Sequence, residues 1–447
     1  MSPDVVIVGA GFTGLSAALR LTAMGRKVVV LEADSAPGGL AGTAAFGNGV
    51  VVEKFYHHWF TNDEFVMPLI RELGLESRLV TRQSRTGMYY NRQIWRLSKP
   101  RELLAFSPLS LPDRIRLGLM VLRVRRVKDW KKLEHLSIRE WLEPISGKAA
   151  FRVVWEPLIN SKFSIHAERV NAVWMWNKLL LRGSSRDKKG AEQLAYFRGG
   201  FGALAEAIGD RITAQGGSIL YNTPVTGARA DGGELRALIA GDRQFHGRNF
   251  LITTAFPIAA DILAEVAPPA WLKTLRRIHY LGNVCLVLQL DRSLSDTYWL
   301  NVNDPGFPFV GVIEHTNFDP PTHYKDTHIV YLSRYLAKED PLWGYSDSEY
   351  FDFALTHLAR MFPQFQREWV IDYHVWRAEY AQPIPERNYS RDVPGFDTPL
   401  KNCHLSNMAQ IYPEDRGTNY AIREGFKAAA LLGGAPGRSI TSPLSPE

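Results

Sequence analysis

The sequence predicts an α/β fold, and two observations point to it. A glycine-rich turn joins a buried strand to a helix near the N-terminus, in the stretch DVVIVGAGFTGLSAALRLTAMGRKVVVLEA. Segments of the same strand-and-helix type return near residues 196–268 and near residues 386–447. Because the chain has 447 residues and 45% hydrophobic content, it can hold two or three domains. We therefore predict a discontinuous parallel sheet that is interleaved with a mixed-sheet domain and a small helical region.

The glycine-rich turn carries the motif G-x-G-x-x-G at Gly9, Gly11 and Gly14. Val5 to Val8, directly before it, is a β-branched apolar run that is typical of a central parallel strand. In this motif the first glycine permits a tight turn, the second lets the backbone approach a pyrophosphate, and the third lets helix and strand pack closely. The amides of the helix N-terminus then face the phosphate charge. The turn therefore predicts a Rossmann-like dinucleotide site.

An acidic residue and a second glycine-rich loop extend this site. Glu32 ends the second strand, where its carboxylate can accept hydrogen bonds from both ribose hydroxyls of an adenosine. The stretch ADSAPGGLAG follows at once and contains the doublet of Gly38 and Gly39. In a nicotinamide dehydrogenase the chain would normally continue into another strand–helix unit, whereas here backbone amides are free to line a longer cofactor. The arrangement favours FAD over NAD.

These features resemble the FAD-dependent amine oxidase superfamily, which includes monoamine oxidases, protoporphyrinogen oxidase and phytoene desaturase. Many members follow the glycine doublet with an arginine, where this chain has Leu40. The resemblance implies that FAD is bound non-covalently, because neither Cys285 nor Cys403 lies in the linkage motif of the monoamine oxidases. The cofactor contacts that it implies in this part of the chain are Gly9, Gly11, Phe12, Thr13, Gly14, Glu32, Ala33, Gly38, Gly39 and Leu40.

Two later stretches look like the return of the chain to the FAD domain. In YFRGGFGALAEAIGDRITAQGGSILYNTPVTGARADGG, family members use the backbone of a residue such as Val225 to hold the adenine edge. Without the resemblance, this stretch predicts a helix, a glycine stop and a hairpin. RNFLITTAFPIAADIL predicts a buried strand and then a helix, with Thr254 near the carboxyl end of the strand. Val225 and Thr254 are therefore implied cofactor contacts.

The C-terminal stretch CHLSNMAQIYPEDRGTNYAIREGFKAAALL predicts a short strand followed by a helix. A helix that begins near Thr418 directs its free amides, and roughly half a positive charge, at whatever lies before it. Family members place this helix start against the pyrimidine edge of the flavin, and they carry an acid where this chain has Asn407. An ordinary docking helix is the alternative. The implied cofactor contacts are Asn407, Gly417, Thr418, Asn419 and Tyr420.

The resemblance divides the chain into two interleaved domains. We predict an FAD-binding domain at residues 1–54, 196–268 and 386–447, and a substrate-binding domain at residues 55–195 and 269–385 that includes a helical region at about 101–182. Runs such as NVCLVLQLD and THIVYLSRYL predict that the substrate-binding domain contains a mixed sheet over the flavin. On this sheet we predict His315 as a catalytic residue and Asn317 and Arg334 as substrate-binding residues. Family members bring the chain that precedes the flavin helix close to the ring, here HVWRAEYAQPIP, which implies Arg377 as a catalytic residue and Trp376 and Tyr380 as substrate-binding residues. Each has an alternative as sheet packing or as a surface ion pair.

Two adjacent histidines, His57 and His58, lie in the aromatic stretch EKFYHHWFTNDEF. If VVVEKFYHHWF is one strand, the two rings point to opposite faces, so they cannot share a metal ion and we predict no metal site. By alternation, the neighbours of His58 are Tyr56 and Phe60, and those of His57 are Phe55 and Trp59.

The same stretch resembles the histidine-rich HxFHT stretch of UDP-galactopyranose mutase, a relative with the same flavin fold. We predict His57 and His58 as catalytic candidates, one of them near the isoalloxazine ring, and Tyr56 as a substrate contact. A neutral core histidine is the alternative for either one.

The chain is basic, with a formal net charge of +7 and a pI of about 9.2, which favours anionic partners. No zinc-finger spacing, RNA-binding signature or basic-helix pattern is present, so we predict no nucleic-acid partner. The first strand begins at Asp4, and no apolar run reaches the roughly 20 residues that span a bilayer. We therefore expect a cytoplasmic protein.

Residues 110–132, SLPDRIRLGLMVLRVRRVKDWKK, combine leucines with many arginines and lysines. As an interfacial helix they would place leucines in lipid while the cations meet anionic headgroups. Protoporphyrinogen oxidase and its relatives dock on membranes through a helical region in a similar place. The alternative is a basic helix that covers the substrate domain, so membrane association stays open here.

The resemblance implies an FAD-dependent oxidoreductase that oxidises or desaturates a C–N or C–C bond of a small or lipid-like substrate, by hydride transfer to flavin N5. Two alternatives remain: a non-redox flavin-dependent mutase that acts on a nucleotide sugar, and a flavin-binding scaffold without turnover. The sequence leaves open the substrate, the electron acceptor and the oligomeric state.

Overall fold

The computed structural model describes residues 2–97, 99–184 and 193–434. The strands, in chain order, are β1 Val5–Val8, β2 Val28–Leu31, β3 Thr43–Ala45, β4 Val51–Glu53, β5 Trp59–Phe60, β6 Leu79–Gln83, β7 Thr86–Tyr90, β8 Gln93–Trp95, β9 Gln193–Phe197, β10 Ser218–Leu220, β11 Gly227–Asp231, β12 Glu234–Ala240, β13 Arg243–His246, β14 Asn249–Ile252, β15 Tyr280–Leu290, β16 Trp299–Val302, β17 Gly311–Glu314, β18 His328–Leu336, β19 Val370–Pro383 and β20 Cys403–Leu405. The α-helices are α1 Phe12–Ala23, α2 Val66–Glu72, α3 Pro100–Leu104, α4 Leu111–Arg125, α5 Ile138–Ser146, α6 Lys148–Ala150, α7 Glu156–Phe163, α8 Ala172–Ser184, α9 Gly200–Ala214, α10 Phe256–Ile262, α11 Pro269–Arg276, α12 Asp347–Met361, α13 Tyr389–Asp392 and α14 Thr418–Gly433.

A five-stranded parallel sheet lies at the centre of the first unit, in the order β10-β2-β1-β14-β20. Its strands come from three separate parts of the sequence, and the apolar β-branched residues of β1 are buried on both faces of the sheet. Val5 and Ile7 pack in the core beneath α1, α9 and α14. Val6 and Val8 pack in the core that includes α10 and β12. The predicted α/β fold is confirmed.

Helices α1 and α14 pack closely because a glycine lies at their contact. A Cβ atom on Gly425 would stand 2.7 Å from Ser16 Cβ and 2.9 Å from Ala17 N. One on Gly433, further along α14, would stand 2.6 Å from the sulfur of Met24. The two helices therefore run in the same direction, and their N-termini lie at the same end of the parallel sheet.

A seven-stranded mixed sheet forms the second large layer, in the order β19-β15-β18-β17-β16-β7-β8. The pairing of β16 with β7 is parallel and the other pairings are antiparallel. Alternation along β15 divides its two faces: Cys285 and Val287 join the core of the parallel sheet, whereas Val284 and Leu286 pack in the core of α12. The mixed sheet thus presents one face to the parallel-sheet unit.

Helices α4, α5 and α7 lie in the predicted helical region and share an aromatic core with Trp130, Trp141 and Trp174. The serine of the SIRE stretch caps α5, as its sequence indicates. Within the described ranges, no helix is both long and apolar enough to cross a membrane. The division into two domains stays a prediction, and its residues 1, 98, 185–192 and 435–447 lie outside the described ones.

The interpretation of VVVEKFYHHWF as one strand is wrong. Two short strands, β4 and β5, flank an irregular stretch at residues 54–58. The strand β4 pairs with β3, whereas β5 pairs with β9 in a different sheet. The chain therefore leaves one sheet and enters another at the two histidines.

Candidate cofactor site and active site

At two of the three glycines of the turn there is no space for a side chain, and at the third there is. Gly9 has φ +101°, and a Cβ atom there would stand 2.6 Å from the hydroxyl of Thr253. A Cβ atom on Gly14 would clash with the carbonyl oxygen of Gly9. At Gly11, no heavy atom of residues 2–97, 99–184 or 193–434 crowds such a Cβ within 4 Å. The turn is therefore tight, and its one open position adjoins the amide end of α1.

The carboxylate of Glu32 lies over this turn. It accepts hydrogen bonds from the amides of Ala10, at 2.5 Å, and Asp34, at 2.9 Å. The glycine doublet folds onto the same place, because the amide of Gly38 donates to the carbonyl of Ala10 at 2.9 Å. The two glycine-rich segments and the acid therefore form one cradle, as their order in the sequence indicates.

The other predicted contacts near the cradle differ in exposure. Phe12 and Thr13 are buried in the first turn of α1, and Ala33 is exposed. Leu40 is half-buried in a short helical turn, and Val225 packs against the core that includes α10.

At the carboxyl ends of two neighbouring strands, two buried polar atoms have no hydrogen-bond partner among the described residues. They are the hydroxyl of Thr254, after β14, and Nδ2 of Asn407, after β20. The Oδ1 atom of Asn407 already accepts from the amide of Ala409, so the carboxamide has one donor group left over. Buried polar atoms normally have partners, and ligands of open α/β sheets bind at this edge. These two atoms therefore fit a polar ligand.

The beginning of α14 lies against residues 53–65, the stretch EKFYHHWFTNDEF, which we call the aromatic segment. Gly417 has an extended backbone, with no heavy atom within 4 Å of an added Cβ. The hydroxyl of Thr418 accepts a hydrogen bond from Nε1 of Trp59 at 2.5 Å. The positive end of α14 is therefore open at Gly417 and fixed to the aromatic segment at Thr418.

The next two residues of α14 have structural partners. Oδ1 of Asn419 accepts from the amides of Phe65 and Val66, at 2.9 and 3.1 Å, and so satisfies the first amides of α2. The ring of Tyr420 packs under the guanidinium of Arg423 at 5.0 Å. These contacts do not support the predicted cofactor role of either side chain.

The two histidines lie on different sides of the aromatic segment. The ring of His57 is 5.5 Å from that of Phe201, on which Trp59 stacks at 3.9 Å. Nδ1 of His58 lies 3.3 Å from both Tyr56 Oη and Tyr298 Oη. The two rings therefore contact different residues, and which of them faces a cofactor stays a prediction.

His57 is held as a neutral ring. Its Nδ1 donates to the carbonyl of Phe55 at 2.5 Å, which leaves Nε2 as the acceptor. Burial and the nearby charge of Arg416 lower the pKa of His57 to about 4. At neutral pH this histidine can accept a proton at Nε2 but has none to donate there.

Glu53 is a buried acid that the sequence did not single out. Its carboxylate accepts hydrogen bonds from Tyr196 Oη at 3.2 Å, Tyr331 Oη at 3.4 Å and the amide of Phe201 at 3.1 Å. Burial raises the pKa of Glu53 to about 7. In the sequence, Glu53 is marked only by its place at the start of the aromatic stretch. A single acid after an apolar run does not indicate that its side chain is buried.

His315 lies in the core behind this acid. Its Nε2 is 2.5 Å from the hydroxyl of Tyr324, its ring packs on Tyr196 at 4.6 Å, and burial lowers its pKa to about 4. Tyr324 donates in turn to Asp319 at 3.1 Å. The structure brings His315 close to Glu53 through Tyr196, and not directly to His57 or His58.

Arg334 and Arg377 lie on the far face of the mixed sheet. Both are in register with Val284, which packs in the core of α12. Arg377 pairs with Asp347 at 2.6 Å, and Arg334 with Asp340 at 3.2 Å. Because strand neighbours alternate, neither guanidinium faces the histidines, which argues against the catalytic and substrate roles predicted for them.

The other sheet candidates are distributed more widely. Trp376 is in register with Cys285 on the near face, and the ammonium of Lys54 lies 5.0 Å from its ring. Asn317 donates to the carbonyls of Ser295 and Thr297 and so holds a loop. Tyr380 packs edge-on against Tyr280 at 5.4 Å. Trp376 is the one of these three that lies beside the aromatic segment.

No group of three His, Cys, Asp or Glu residues is placed to hold a metal ion within the part of the chain that the structure describes. Cys285 and Cys403 are both buried free thiols, and burial raises the pKa of each to about 12.

Comparison with known proteins identifies relatives of this architecture. The family model described as "Flavin containing amine oxidoreductase" matches residues 12–432. A 15-cis-phytoene desaturase from an Oncidium hybrid cultivar is 23% identical over 440 residues, which cover 90% of this chain and 73% of the desaturase. Cyclohexylamine oxidase from Brevibacterium oxydans has a TM-score of 0.73 at 16% identity, over 97% of this chain and 99% of that one. Reduced UDP-galactopyranose mutase has a TM-score of 0.72 at 15% identity, over 97% and 96%. At these identities the structural likeness shows the fold alone.

Proposed function

Because this chain belongs to the flavin-containing amine oxidoreductase family and is an FAD-dependent oxidoreductase, we propose that it oxidises or desaturates a C–N or C–C bond of a small or lipid-like substrate. When bound, FAD supplies the two-electron acceptor, which takes the hydride at N5. One observation carries the proposal: the amide ends of α1 and α14 lie at one end of the parallel sheet, and the aromatic segment is bonded to the second of them.

We propose that the cradle holds the pyrophosphate and ribose of FAD. The open position at Gly11 gives phosphate oxygens access to the backbone, and the carboxylate of Glu32 can accept from ribose hydroxyls. The unpartnered polar atoms of Thr254 and Asn407 would bond further along the cofactor. The open amide end at Gly417 would favour negative charge.

The aromatic segment would shape the reaction site. Trp59 and Phe201, which stack at 3.9 Å, would exclude water from the space before α14. His57 offers a neutral Nε2 that can accept a proton from substrate, and Tyr56 and His58 offer a polar surface beside it. We propose these residues as the substrate-facing group, with Trp376 beside them.

A second candidate is isomerisation of a nucleotide sugar without net oxidation. It is favoured by the fold that this chain shares with UDP-galactopyranose mutase and by the paired histidines of the aromatic segment. A scaffold that binds flavin without turnover is favoured only by the departures from the family pattern at Leu40 and Asn407.

One screen separates these functions. Purified protein that carries FAD is mixed, without oxygen, with amines, porphyrinogens, polyprenyl lipids and nucleotide sugars. Loss of the visible flavin absorbance with one class, without added reductant, supports the oxidoreductase. Turnover of a nucleotide sugar only after reduction by dithionite supports the mutase. A protein with no affinity for FAD contradicts both.

We also propose that α4 contacts an anionic membrane, from a cytoplasmic location. Its exposed face carries Leu111, Ile115, Leu119 and Leu122, which are 55%, 50%, 52% and 52% exposed. Their spacing of four, four and three residues places them on one stripe. Arg123 and the basic residues after it are exposed at the end of the helix. Exposed leucines beside cations fit a bilayer surface, where the leucines contact the acyl chains and the cations contact anionic headgroups.

A further inference from the structure

Two cations flank one tyrosine close to the N-terminus of α14. Arg416 donates from Nη2 to Tyr335 Oη at 2.7 Å and from Nε to Gln382 Oε1 at 2.9 Å. From the other side, Nζ of Lys162 lies 4.0 Å from the centre of the Tyr335 ring. Burial would raise the pKa of Tyr335, but the charges of Arg416 and Lys162 lower it below its ordinary value. Among the described residues, no carboxylate pairs with Arg416 or Lys162 within 4.0 Å.

The charges around this group do not balance. Lys178 pairs with the buried carboxylate of Asp415 at 2.7 Å. The charge of Lys178 also acts on Asp63, and burial raises the pKa of Asp63 to about 7, so Asp63 is only partly ionised at neutral pH. The described part of the chain thus sets three cations against one full and one partial negative charge. Lys162 and Arg416 are both half-buried and share the charge of Asp415 with Lys178, so an anionic ligand would offset the cost of their partial burial.

Lys162, Arg416 and Tyr335 lie beside the proposed reaction site. Arg416 stands two residues before Thr418, where α14 begins and where Trp59 is bonded. Its charge also acts on His57. Lys162 comes from α7 and Tyr335 from β18, so three distant segments converge at one place. The positive end of α14 adds to the same field.

We propose that Lys162 and Arg416, on either side of Tyr335, bind a carboxylate or phosphate group of the substrate. The inference rests on the proposed function and narrows it to acid-bearing substrates. An amine in its ammonium form meets net positive charge here and is disfavoured. Tyr335 positions the two cations, and its hydroxyl is within reach of the same anion.

The test is calorimetric titration of the FAD-loaded protein at low salt with four probes that share one ring: benzoate, phenyl phosphate, benzyl alcohol and benzylamine. We expect at least one of the two anions to bind tenfold or more tightly than benzyl alcohol, and benzylamine to bind most weakly. Benzoate alone identifies a carboxylate site and phenyl phosphate alone a phosphate site. Benzylamine binding as tightly as benzoate, or no saturable binding of either anion, overturns the proposal.

Variants locate the site. Lys162→Gln and Arg416→Gln should each weaken anion binding tenfold or more, while the binding of benzyl alcohol stays unchanged. Arg236→Gln, at an exposed position of β12, is the matched control and should change the binding of neither probe. Where one cation variant misfolds, Tyr335→Phe keeps the ring and removes the hydroxyl that Arg416 bonds, and it should weaken anion binding; unchanged anion binding in this variant counts against the site. Unchanged anion binding in folded Lys162→Gln and Arg416→Gln overturns the assignment. Because calorimetry does not need turnover, a protein that binds anions but shows no redox activity contradicts the proposed function and not this site.

Discussion

The indole nitrogen of Trp59 donates a hydrogen bond to the hydroxyl of Thr418 across 359 positions of sequence. The bond joins the aromatic segment to the amide end of α14, and the same indole stacks on Phe201. It thereby fixes the distance between the proposed cofactor site and the proposed substrate group.

Trp59→Phe tests this bond, because it keeps an aromatic ring on Phe201 and removes the donor. We expect a loss of about 1 kcal/mol in the free energy of unfolding and weaker retention of FAD. Thermal melts and the rate of FAD release would measure the two effects. Trp176→Phe is the control, because Nε1 of Trp176 is buried with no partner in the described part of the chain, so its removal costs no hydrogen bond there. Equal losses of stability and FAD retention in both variants would mean that the hydrogen bond contributes to neither.

Gly425→Ala tests the contact of α14 with α1. The new Cβ atom would stand 2.7 Å from Ser16 Cβ, so α14 must move away from the cradle. We expect a cost of about 1–3 kcal/mol in the free energy of unfolding, together with a lower FAD content after purification.

Gly118→Ala, in the middle of α4, is the matched control for that variant. Its Cβ atom meets Leu103 Cδ2 at 3.5 Å, an ordinary contact, and alanine is the better helix former by about 1 kcal/mol. It should be neutral or stabilising, and a similar destabilisation of both variants would contradict the close contact.

Glu53→Gln tests a pH dependence of stability. The pKa of Glu53 is about 7 in the folded chain, above its ordinary value of 4.5. Between pH 4.5 and pH 7, therefore, Glu53 of the folded chain still holds a proton that the unfolded chain has released. This group therefore lowers the stability of the wild type as pH rises from about 4.5 to 7, by about 3 kcal/mol in all. Denaturant midpoints at pH 5 and pH 8 should show that the variant gains on the wild type at the higher pH. A gap that does not change with pH would mean that Glu53 is ionised in the fold.

The double variant Ile115→Glu with Leu119→Glu tests the membrane contact. Both side chains are exposed, so folding stability should change by less than about 0.5 kcal/mol per site. Sedimentation with vesicles of phosphatidylglycerol and phosphatidylcholine should fall at least tenfold, whereas the wild type should bind these vesicles better than pure phosphatidylcholine. Ile371→Glu, an exposed apolar site on β19, is the control and should bind like the wild type. Equal binding by the double variant would refute the role of α4.

The cradle was predictable because its signal is local. The spacing of Gly9, Gly11 and Gly14 and the place of Glu32 determine one strand–turn–helix–strand unit within about 30 residues. The segment around His57 was misjudged because the partners of β4 and β5 lie in different sheets, which no periodicity reveals. The face of Arg377 depends on its register with Val284, 93 positions earlier in the sequence. Lys162 and Arg416 meet only in three dimensions, so a net positive charge was visible in the sequence but its location was not.

The contact between α1 and α14 also constrains how the chain can be made. The side of α1 that meets Gly425 is synthesised some 400 residues before its partner, which at about 5–20 residues per second is a delay of roughly 20–80 s. During that time the nascent glycine turn has no second helix beside it, and the sheet still lacks β20. We therefore expect flavin capture to be a late, post-synthetic event, so that FAD loading reports whether the far end of the chain has arrived and docked.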